Sequence, residues 1–147
     1  MVGNVNVECY FAPEDEVEKA VVERIGAAQS RIDVMAFSFT STAVAKAIAS
    51  RIGKGAKVRA VFDERQAGSK YSQDRFLAEH GATVRLDTNP YAMHNKVIII
   101  DDGMVITGSY NFTKSASTEN DENLLVVHSP DIAAQYERKF ESIFGAN

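Results

Sequence analysis

The sequence predicts an α/β domain of layered strands and helices, and two features of the chain support this prediction. In the first half, short β-branched segments alternate with segments of helical periodicity, the order that is typical of strands joined by crossover helices. In the second half, residues 97–100 and 104–107 flank an Asp-Asp-Gly turn signal, so they predict two adjacent strands. The length of 147 residues suits one domain, residues 1–147, with one substantial core.

The first half of the chain predicts three strands and two helices. Pro13 and the acidic residues after it favour the start of the first helix, whose apolar positions form one stripe for packing. Ser41 or Thr42 can cap the second helix, and Gly53 or Gly55 can end it. The predicted strands are residues 5–11, 31–39 and 57–62, and the predicted helices are residues 14–28 and 42–53.

The second half predicts four strands and two helices. The apolar, β-branched run at residues 97–100 is typical of a strand that is buried on both faces. A polar loop precedes a short helix that ends at Gly81, and Pro130 favours the first turn of a terminal helix because its missing N–H is not needed there. The predicted strands are residues 83–86, 97–100, 104–107 and 124–128, and the predicted helices are residues 72–80 and 130–144.

The charge of the chain is uneven along the sequence. A net charge of -4 argues against a protein covered in basic residues for gripping nucleic acid. Residues 46–75, however, carry eight basic residues against three acidic ones, a local balance of +5. Such a segment either lines the approach of a polyanion or forms ordinary solvated helix and loop surfaces, and the sequence leaves both interpretations open.

The cysteine content and the N-terminus bear on cell compartment. Cys9 is the only cysteine, so neither an intrachain disulfide nor a cysteine-based zinc site can form. The N-terminus lacks a basic start and a continuous apolar core, and no run of 18 apolar residues occurs in the chain. We therefore expect a cytoplasmic protein, or a periplasmic or secreted one if a leader has been removed, without stable membrane association.

The stretch at residues 94–111, HNKVIIIDDGMVITGSYN, carries most of the functional information. Because side chains alternate along a strand, His94 and Lys96 share one face. Ser109 and Asn111 repeat this spacing at the end of the neighbouring strand, so the four side chains are expected to converge on one anion.

The same stretch resembles a known signature. Its spacing, His94-x-Lys96-x4-Asp101-x6-Gly108-Ser109-x-Asn111, resembles the HKD motif of the phospholipase D superfamily, with every position filled. The single copy and the flanking segments SYNFTKSAS and ENDENLLVV resemble the small bacterial Nuc-type endonucleases. This resemblance implies a central mixed sheet flanked by helices on both faces. It also implies a metal-independent phosphodiesterase that hydrolyses DNA, or RNA, through a phosphohistidine.

The motif residues have distinct expected roles. His94 would attack phosphorus, while Lys96, Ser109 and Asn111 would bind the non-bridging oxygens as negative charge develops. A carboxylate is needed to set the tautomer of the attacking ring. Glu122, just before the last strand, matches the acidic residue downstream of the motif in the family, and Glu119 is its nearby competitor.

Two further motif positions have expected structural roles. Asp101 points away from His94 and Lys96, so we expect it to act behind the site by accepting hydrogen bonds that hold the strand ends. Gly108 belongs to the same structural part of the motif. The histidines are dispersed and no acidic cluster has ligand spacing, so no metal and no other cofactor is expected.

Protonation of the leaving oxygen requires a second acid. His80 lies at an expected helix end and His128 at an expected strand end, and neither belongs to a motif. A homodimer with a shared active site would supply a second His94. Two alternatives to a nuclease remain open at this stage, a phospholipid phosphodiesterase and a non-catalytic module that binds nucleic acid.

Overall fold

The computed structural model describes residues 1–147, which form seven strands and five helices. The strands are β1 (Asn6–Ala12), β2 (Arg31–Ala36), β3 (Lys57–Asp63), β4 (Thr83–Asp87), β5 (Lys96–Ile100), β6 (Met104–Gly108) and β7 (Glu122–His128). The helices are α1 (Val17–Gly26), α2 (Thr42–Gly53), α3 (Asp74–Glu79), α4 (Lys114–Thr118) and α5 (Pro130–Ala146).

The strands form one mixed sheet in the order β1-β7-β6-β5-β2-β3-β4. Strands β2, β3 and β4 run parallel and are connected through α2 and α3, as the alternation of strands and helices predicts. All other pairs are antiparallel, and β5 joins the two parts by pairing with β2 on one side and β6 on the other. The predicted α/β fold is confirmed.

Strand β5 lies in the middle of the sheet and packs on both faces. Ile98 and Ile100 belong to the core beneath α1 and α2, whereas Val97 and Ile99 belong to the core beneath α5. All four side chains are at most 2% exposed, which confirms a strand buried on both faces. Each contributes about 1.5–3 kcal/mol by leaving water. This burial fixes the strand that carries Lys96.

The helix boundaries follow local capping. The side chain of Ser41 accepts a hydrogen bond from the backbone N–H of Val44 at 3.1 Å, as the sequence predicts. At α5, Ser129 caps the helix by accepting from Ile132 at 3.3 Å, and Pro130 occupies the first turn.

The structure differs from the prediction in several elements. Helix α1 begins at Val17 and ends at Gly26, so it is shorter at both ends than the predicted residues 14–28, and β7 begins at Glu122 rather than at residue 124. Strand β2 ends at Ala36 rather than residue 39, because the chain bends at Phe37 and Phe39 then pairs with Phe112 instead of with the segment before β5. Helix α3 is shorter than expected at each end. Helix α4 was not predicted, since Lys114–Thr118 is polar and only Ala116 is buried; Thr113 caps it.

Candidate active site

The motif side chains meet at one edge of the sheet. Because β5, β6 and β7 are successive antiparallel neighbours, the start of β5, the end of β6 and the start of β7 lie at the same edge. A cavity of about 490 Å³ opens there. Its lining residues are His94, Asn95, Lys96, Val97, Thr107, Gly108, Ser109, Asn111, Glu122 and Tyr136. The structure therefore brings together all five side chains to which the sequence assigns a catalytic or phosphate-binding role.

His94 and Lys96 interact directly. The Lys96 Nζ lies 3.1 Å from the His94 Nδ1 and donates a second hydrogen bond to the His94 carbonyl oxygen at 2.7 Å. The ring of Phe37 packs against both groups, with its centroid 4.6 Å from the His94 ring and 5.4 Å from the Lys96 Nζ. These contacts hold the imidazole and the ammonium side by side at the mouth of the cavity.

Lys96 is unusually buried for a lysine, at 7% exposure. Burial lowers the pKa of Lys96, and the carboxylate of Glu122 opposes that shift. The two charges share the cavity without a direct ion pair between them. An anion that enters the cavity therefore meets a poorly solvated cation, which strengthens their attraction.

Ser109 and Asn111 complete the cavity wall. The Ser109 hydroxyl donates to the Glu122 carboxylate and accepts the backbone N–H of Asn123 at 3.0 Å. The side-chain oxygen of Asn111 is buried and has no hydrogen-bond partner within the chain. A buried polar atom without a partner is costly, so Asn111 is available to a bound group.

Glu122 lines the cavity, and Glu119 lies outside it. The Glu122 carboxylate accepts hydrogen bonds from Ser109 and from Asn120, the latter at 3.2 Å. It makes no hydrogen bond with His94 of the same chain. Within one chain, Glu122 therefore does not orient the imidazole.

Gly108 has a steric role. A Cβ at this position would press against the backbone carbonyl of Asn123 on β7, far inside van der Waals contact. The same carbonyl accepts the N–H of Ser109 at 3.1 Å and that of Tyr110 at 3.3 Å. The absence of a side chain at Gly108 therefore lets β7 hold the segment that presents Ser109 to the cavity.

Asp101 lies outside the cavity, at the opposite end of β5, and accepts hydrogen bonds that hold strand ends, as the sequence predicts. It accepts hydrogen bonds from the backbone N–H groups of Gln29 at 3.1 Å, Ser30 at 2.8 Å and Arg31 at 3.1 Å. Burial raises the pKa of Asp101, but these hydrogen bonds outweigh burial and hold the pKa below its ordinary value. Asp101 thus fastens the turn before β2 to the far end of β5.

The other two histidines lie outside the cavity. The His80 ring hydrogen-bonds the Phe76 carbonyl at 2.7 Å at the end of α3. The His128 Nε2 lies 2.6 Å from a Glu8 carboxylate oxygen at the far end of β7. Neither can protonate a group bound beside His94 in the same chain.

The basic segment at residues 46–75 does not form one patch. Arg59 is bound by Asp33 at 2.7 Å, Glu137 at 2.8 Å and Glu141 at 2.7 Å, beneath α5. Arg65 pairs with Asp63 at 2.8 Å. Part of the segment is therefore structural, which the linear charge balance did not reveal.

Sequence reasoning missed two residues of the site. Phe37 packs on His94, although no motif marks it. Tyr136, which lies on α5 and follows the last motif residue by 25 positions, also lines the cavity. No local pattern points to either residue, because both reach the site through tertiary packing.

The side chains offer no metal site of the usual kind. No group of three or more His, Cys, Asp or Glu side chains is placed to hold a metal ion. None of the helices combines the length and the apolar character that crossing a bilayer would require.

A mixed α/β sheet with a His–Lys pair and a Ser–Asn pair at one edge defines a class of phosphodiesterases. The family described as "cardiolipin synthase, PLD-like domain" matches residues 21–144. The chain belongs to the phospholipase D superfamily.

Relatives of known sequence carry two kinds of names. The phospholipase D of Rickettsia prowazekii is 35% identical over 131 residues, which cover 89% of this chain and 64% of that protein. The mitochondrial cardiolipin hydrolase of Chlamydomonas reinhardtii is 29% identical over 123 residues, which cover 84% of this chain and 55% of that protein. The chain thus spans less than two thirds of the length of these relatives.

Solved structures match the whole fold. Nuc from Salmonella typhimurium, a phospholipase D family member, superposes with a TM-score of 0.91 at 33% identity and covers 97% of this chain and 95% of its own. NucT from Helicobacter pylori shares the fold, with a TM-score of 0.88 at 23% identity and 97% of each chain covered. The Nuc-type fold predicted from the motif is confirmed.

Proposed function

We propose that this chain is a metal-independent endonuclease that hydrolyses phosphodiester bonds of DNA, or RNA, through a phosphohistidine. The observation that carries the proposal is the convergence of His94, Lys96, Ser109 and Asn111 on one cavity. The cavity supplies a nucleophile together with a cation and hydrogen-bonding groups for a phosphate. The match to Nuc and the sequence resemblance to Nuc-type endonucleases support a nucleic acid as substrate.

The chemistry has two steps. An imidazole nitrogen of His94 attacks phosphorus, a P–N bond forms, and the P–O bond to the leaving group breaks as that oxygen takes a proton from an acid. Water then attacks the phosphohistidine, loses a proton to a base, and releases the phosphate monoester with neutral imidazole. Lys96 and Asn111 bind the non-bridging oxygens in both steps, and the buried ammonium of Lys96 supplies the cationic stabilisation.

The tautomer of His94 argues for a second subunit. A charged Lys96 donates to Nδ1, so the neutral ring carries its proton on Nε2, which is then unable to attack. Attack by Nε2 requires an acceptor for a proton on Nδ1. Glu122 of the same chain makes no contact with the ring, so the acceptor would come from a second copy.

The missing acid leads to the same proposal. His80 and His128 lie elsewhere, so the cavity of one chain contains a single histidine. A homodimer with its two-fold axis at the cavity would supply a second His94 to protonate the leaving oxygen. It would also bring a second Lys96 to the phosphate and place Glu122 of each chain near the ring of the other.

A phospholipid phosphodiesterase is the second candidate function. Relatives named phospholipase D and mitochondrial cardiolipin hydrolase favour it, because the same cavity chemistry acts on any phosphodiester. The two candidates differ in what must reach the cavity, a polyanionic chain or a lipid headgroup at a membrane surface.

An activity assay with purified protein distinguishes the two candidate functions. It is incubated with single-stranded DNA, plasmid DNA, RNA, phosphatidylcholine vesicles and cardiolipin vesicles, each in millimolar EDTA. We expect cleavage of nucleic acid that persists in EDTA and is abolished in His94→Ala. Hydrolysis of vesicles without nuclease activity would establish the second candidate. Nuclease activity that disappears in EDTA and returns with Mg²⁺ would refute the metal-independent mechanism.

A subunit-mixing experiment tests whether two chains share one active site. Inactive His94→Ala protein is co-refolded with wild type at rising ratios, and activity is expressed per wild-type chain. A site built from two chains predicts a steep decline, because mixed dimers contain one His94 only. Constant activity per wild-type chain would show that each chain works alone.

A further inference from the structure

Two tyrosines at the catalytic edge of the sheet expose their rings. Tyr71 is 64% exposed and Tyr91 is 80% exposed, whereas most large apolar side chains of the protein are buried. Each lies in a loop, Tyr71 between β3 and α3 and Tyr91 between β4 and β5. Exposed aromatic rings next to an active site favour a role in binding rather than in stability.

Tyr91 is tied to the catalytic histidine through a short segment. It precedes His94 by three residues, and the Asn89 side chain accepts its backbone N–H at 3.0 Å. The backbone N–H of Met93 donates to Asp63 at 2.9 Å, which anchors this loop to the end of β3. The backbone next to Tyr91 is therefore held while its ring extends into solvent.

Tyr71 is tied to the other side of the site. The Gln73 side chain donates to the Tyr71 carbonyl at 3.2 Å, and the Gln73 backbone N–H donates to Phe39 at 3.0 Å. Phe39 in turn pairs with Phe112, which directly follows Asn111 of the cavity. Through these contacts Tyr71 lies at the same edge of the sheet as the cavity.

The charges at this edge are divided. Lys70 places its Nζ 4.8 Å from the centre of the Tyr71 ring. Arg75, four residues after Tyr71, and Lys114, three residues after Asn111, are also exposed. On the β1 side, a groove of about 600 Å³ begins at Glu122 and is acidic. The acidic residues lining this groove are Glu14, Asp15, Asp121 and Glu122. A polyanion bound at His94 is therefore repelled by the acidic groove on the β1 side and attracted toward the tyrosine loops.

We propose that Tyr71 and Tyr91 are stacking platforms for the bases that flank the scissile phosphate, and that the preferred substrate is single-stranded nucleic acid. This inference rests on the proposed nuclease function. An aromatic ring stacks on a base of any sequence, but only when the face of the base is free. In a duplex both faces are covered by neighbouring base pairs. Lys70, whose ammonium lies beside the Tyr71 ring, can bind the phosphate backbone between stacked bases.

The test removes the tyrosine rings from the protein and, separately, the bases from the substrate. Wild type, Tyr71→Ala, Tyr91→Ala and the conservative variants Tyr71→Phe and Tyr91→Phe are assayed for kcat/KM on a single-stranded oligonucleotide. The same oligonucleotide with abasic sites on each side of the scissile bond, and its duplex form, are measured in parallel. Bis(p-nitrophenyl) phosphate, a small phosphodiester without bases, reports the chemistry alone.

We expect each alanine variant to lose about 10-fold or more in kcat/KM on the single strand, since stacking of one base on one ring is worth that much. The phenylalanine variants should keep the activity, because they keep the ring. Abasic sites should lower the activity of wild type and leave the alanine variants nearly unchanged. All variants should hydrolyse bis(p-nitrophenyl) phosphate at the wild-type rate.

Several outcomes would overturn the inference while leaving the nuclease function intact. These are alanine variants that cleave single strands as well as wild type does, equal losses on single-stranded and abasic substrates, and a duplex preferred by wild type. Loss of a dimer in the alanine variants, measured by sedimentation, would assign the rings to subunit contact. A wild-type protein that hydrolyses vesicles but not nucleic acid, together with alanine variants that lose vesicle hydrolysis, would instead refute the proposed function and assign the rings to a membrane surface.

Discussion

Asp101→Asn is expected to weaken the fold and leave the chemistry intact. The Asp101 Oδ1 accepts Ser30 N at 2.8 Å, Ser30 Oγ at 3.0 Å and Arg31 N at 3.1 Å, while Oδ2 accepts Gln29 N at 3.1 Å. An asparagine keeps one oxygen for the first three bonds and turns an NH2 group toward the N–H of Gln29. It also keeps the backbone unstrained, because asparagine tolerates the φ of 52° at this position.

The magnitude follows from these contacts. Hydrogen bonds to a charged acceptor contribute about 1.5–3 kcal/mol and neutral ones about 0.5–1.5 kcal/mol, so losing the charge and one bond costs about 2 kcal/mol. For a domain of this size that is a fall in Tm of about 6 °C. Asp101 follows Lys96 by five residues along the strand direction, about 16 Å away, so kcat should change by less than about threefold.

Thermal unfolding at pH 7 and kcat measured well below the Tm provide the two readouts. Asp102→Asn is the matched control, because Asp102 is 91% exposed and meets only Arg31, at 2.9 Å. It should change stability by less than about 0.5 kcal/mol. An Asp101→Asn protein with an unchanged Tm and abolished catalysis would show that the carboxylate acts in the site, and the reasoning from its hydrogen bonds would be wrong.

Two further substitutions test the structure. Gly108→Ala should lower activity at least about 10-fold and cost about 1–3 kcal/mol, because its Cβ would displace β7 at Asn123 and shift the cavity wall. Gly103→Ala, where a Cβ meets nothing within 4 Å, is its control, and equal activity of the two variants would refute the steric argument. Burial and the neighbouring Asp33 raise the pKa of Glu137 to about 7. The contribution of this carboxyl group to the free energy of unfolding is therefore fully present below about pH 4.5 and is lost as the pH rises through 7. Glu137→Gln should flatten the decline of Tm between pH 4.5 and 7.5, and an unchanged slope would assign the decline elsewhere.

Much of the fold was predictable because its elements have strong local signals. The four consecutive apolar residues of β5 predict a strand buried on both faces, and the side-chain oxygen of Ser41 predicts a helix cap. Element ends were less predictable. Strand β2 stops at Ala36 because the chain bends at Phe37 and Phe39 pairs with Phe112, a contact that no local pattern encodes.

The catalytic set was predictable for a different reason. Lys96 begins β5 and His94 lies just before it, while Ser109 and Asn111 lie just after β6. The antiparallel pairing of the two strands brings the start of β5 and the end of β6 together, so four residues that are close in sequence meet at one edge of the sheet. Asp101 shows the limit of this reasoning, because its hydrogen-bond donor Ser30 lies 71 residues earlier in the chain and no spacing within the motif indicates it.

The sequence by itself determined the strand and helix pattern, the motif and the chemical groups that converge on the cavity, because these depend on local spacing. Only the tertiary structure decided that Phe37 packs on His94 and that Tyr136 lines the cavity. It also decided that Arg59 is ion-paired beneath α5 and that Glu122 makes no hydrogen bond with the imidazole of its own chain. Those facts arise between residues far apart in the chain. They depend on how the sheet, α5 and the loops pack together, which no short stretch of sequence specifies.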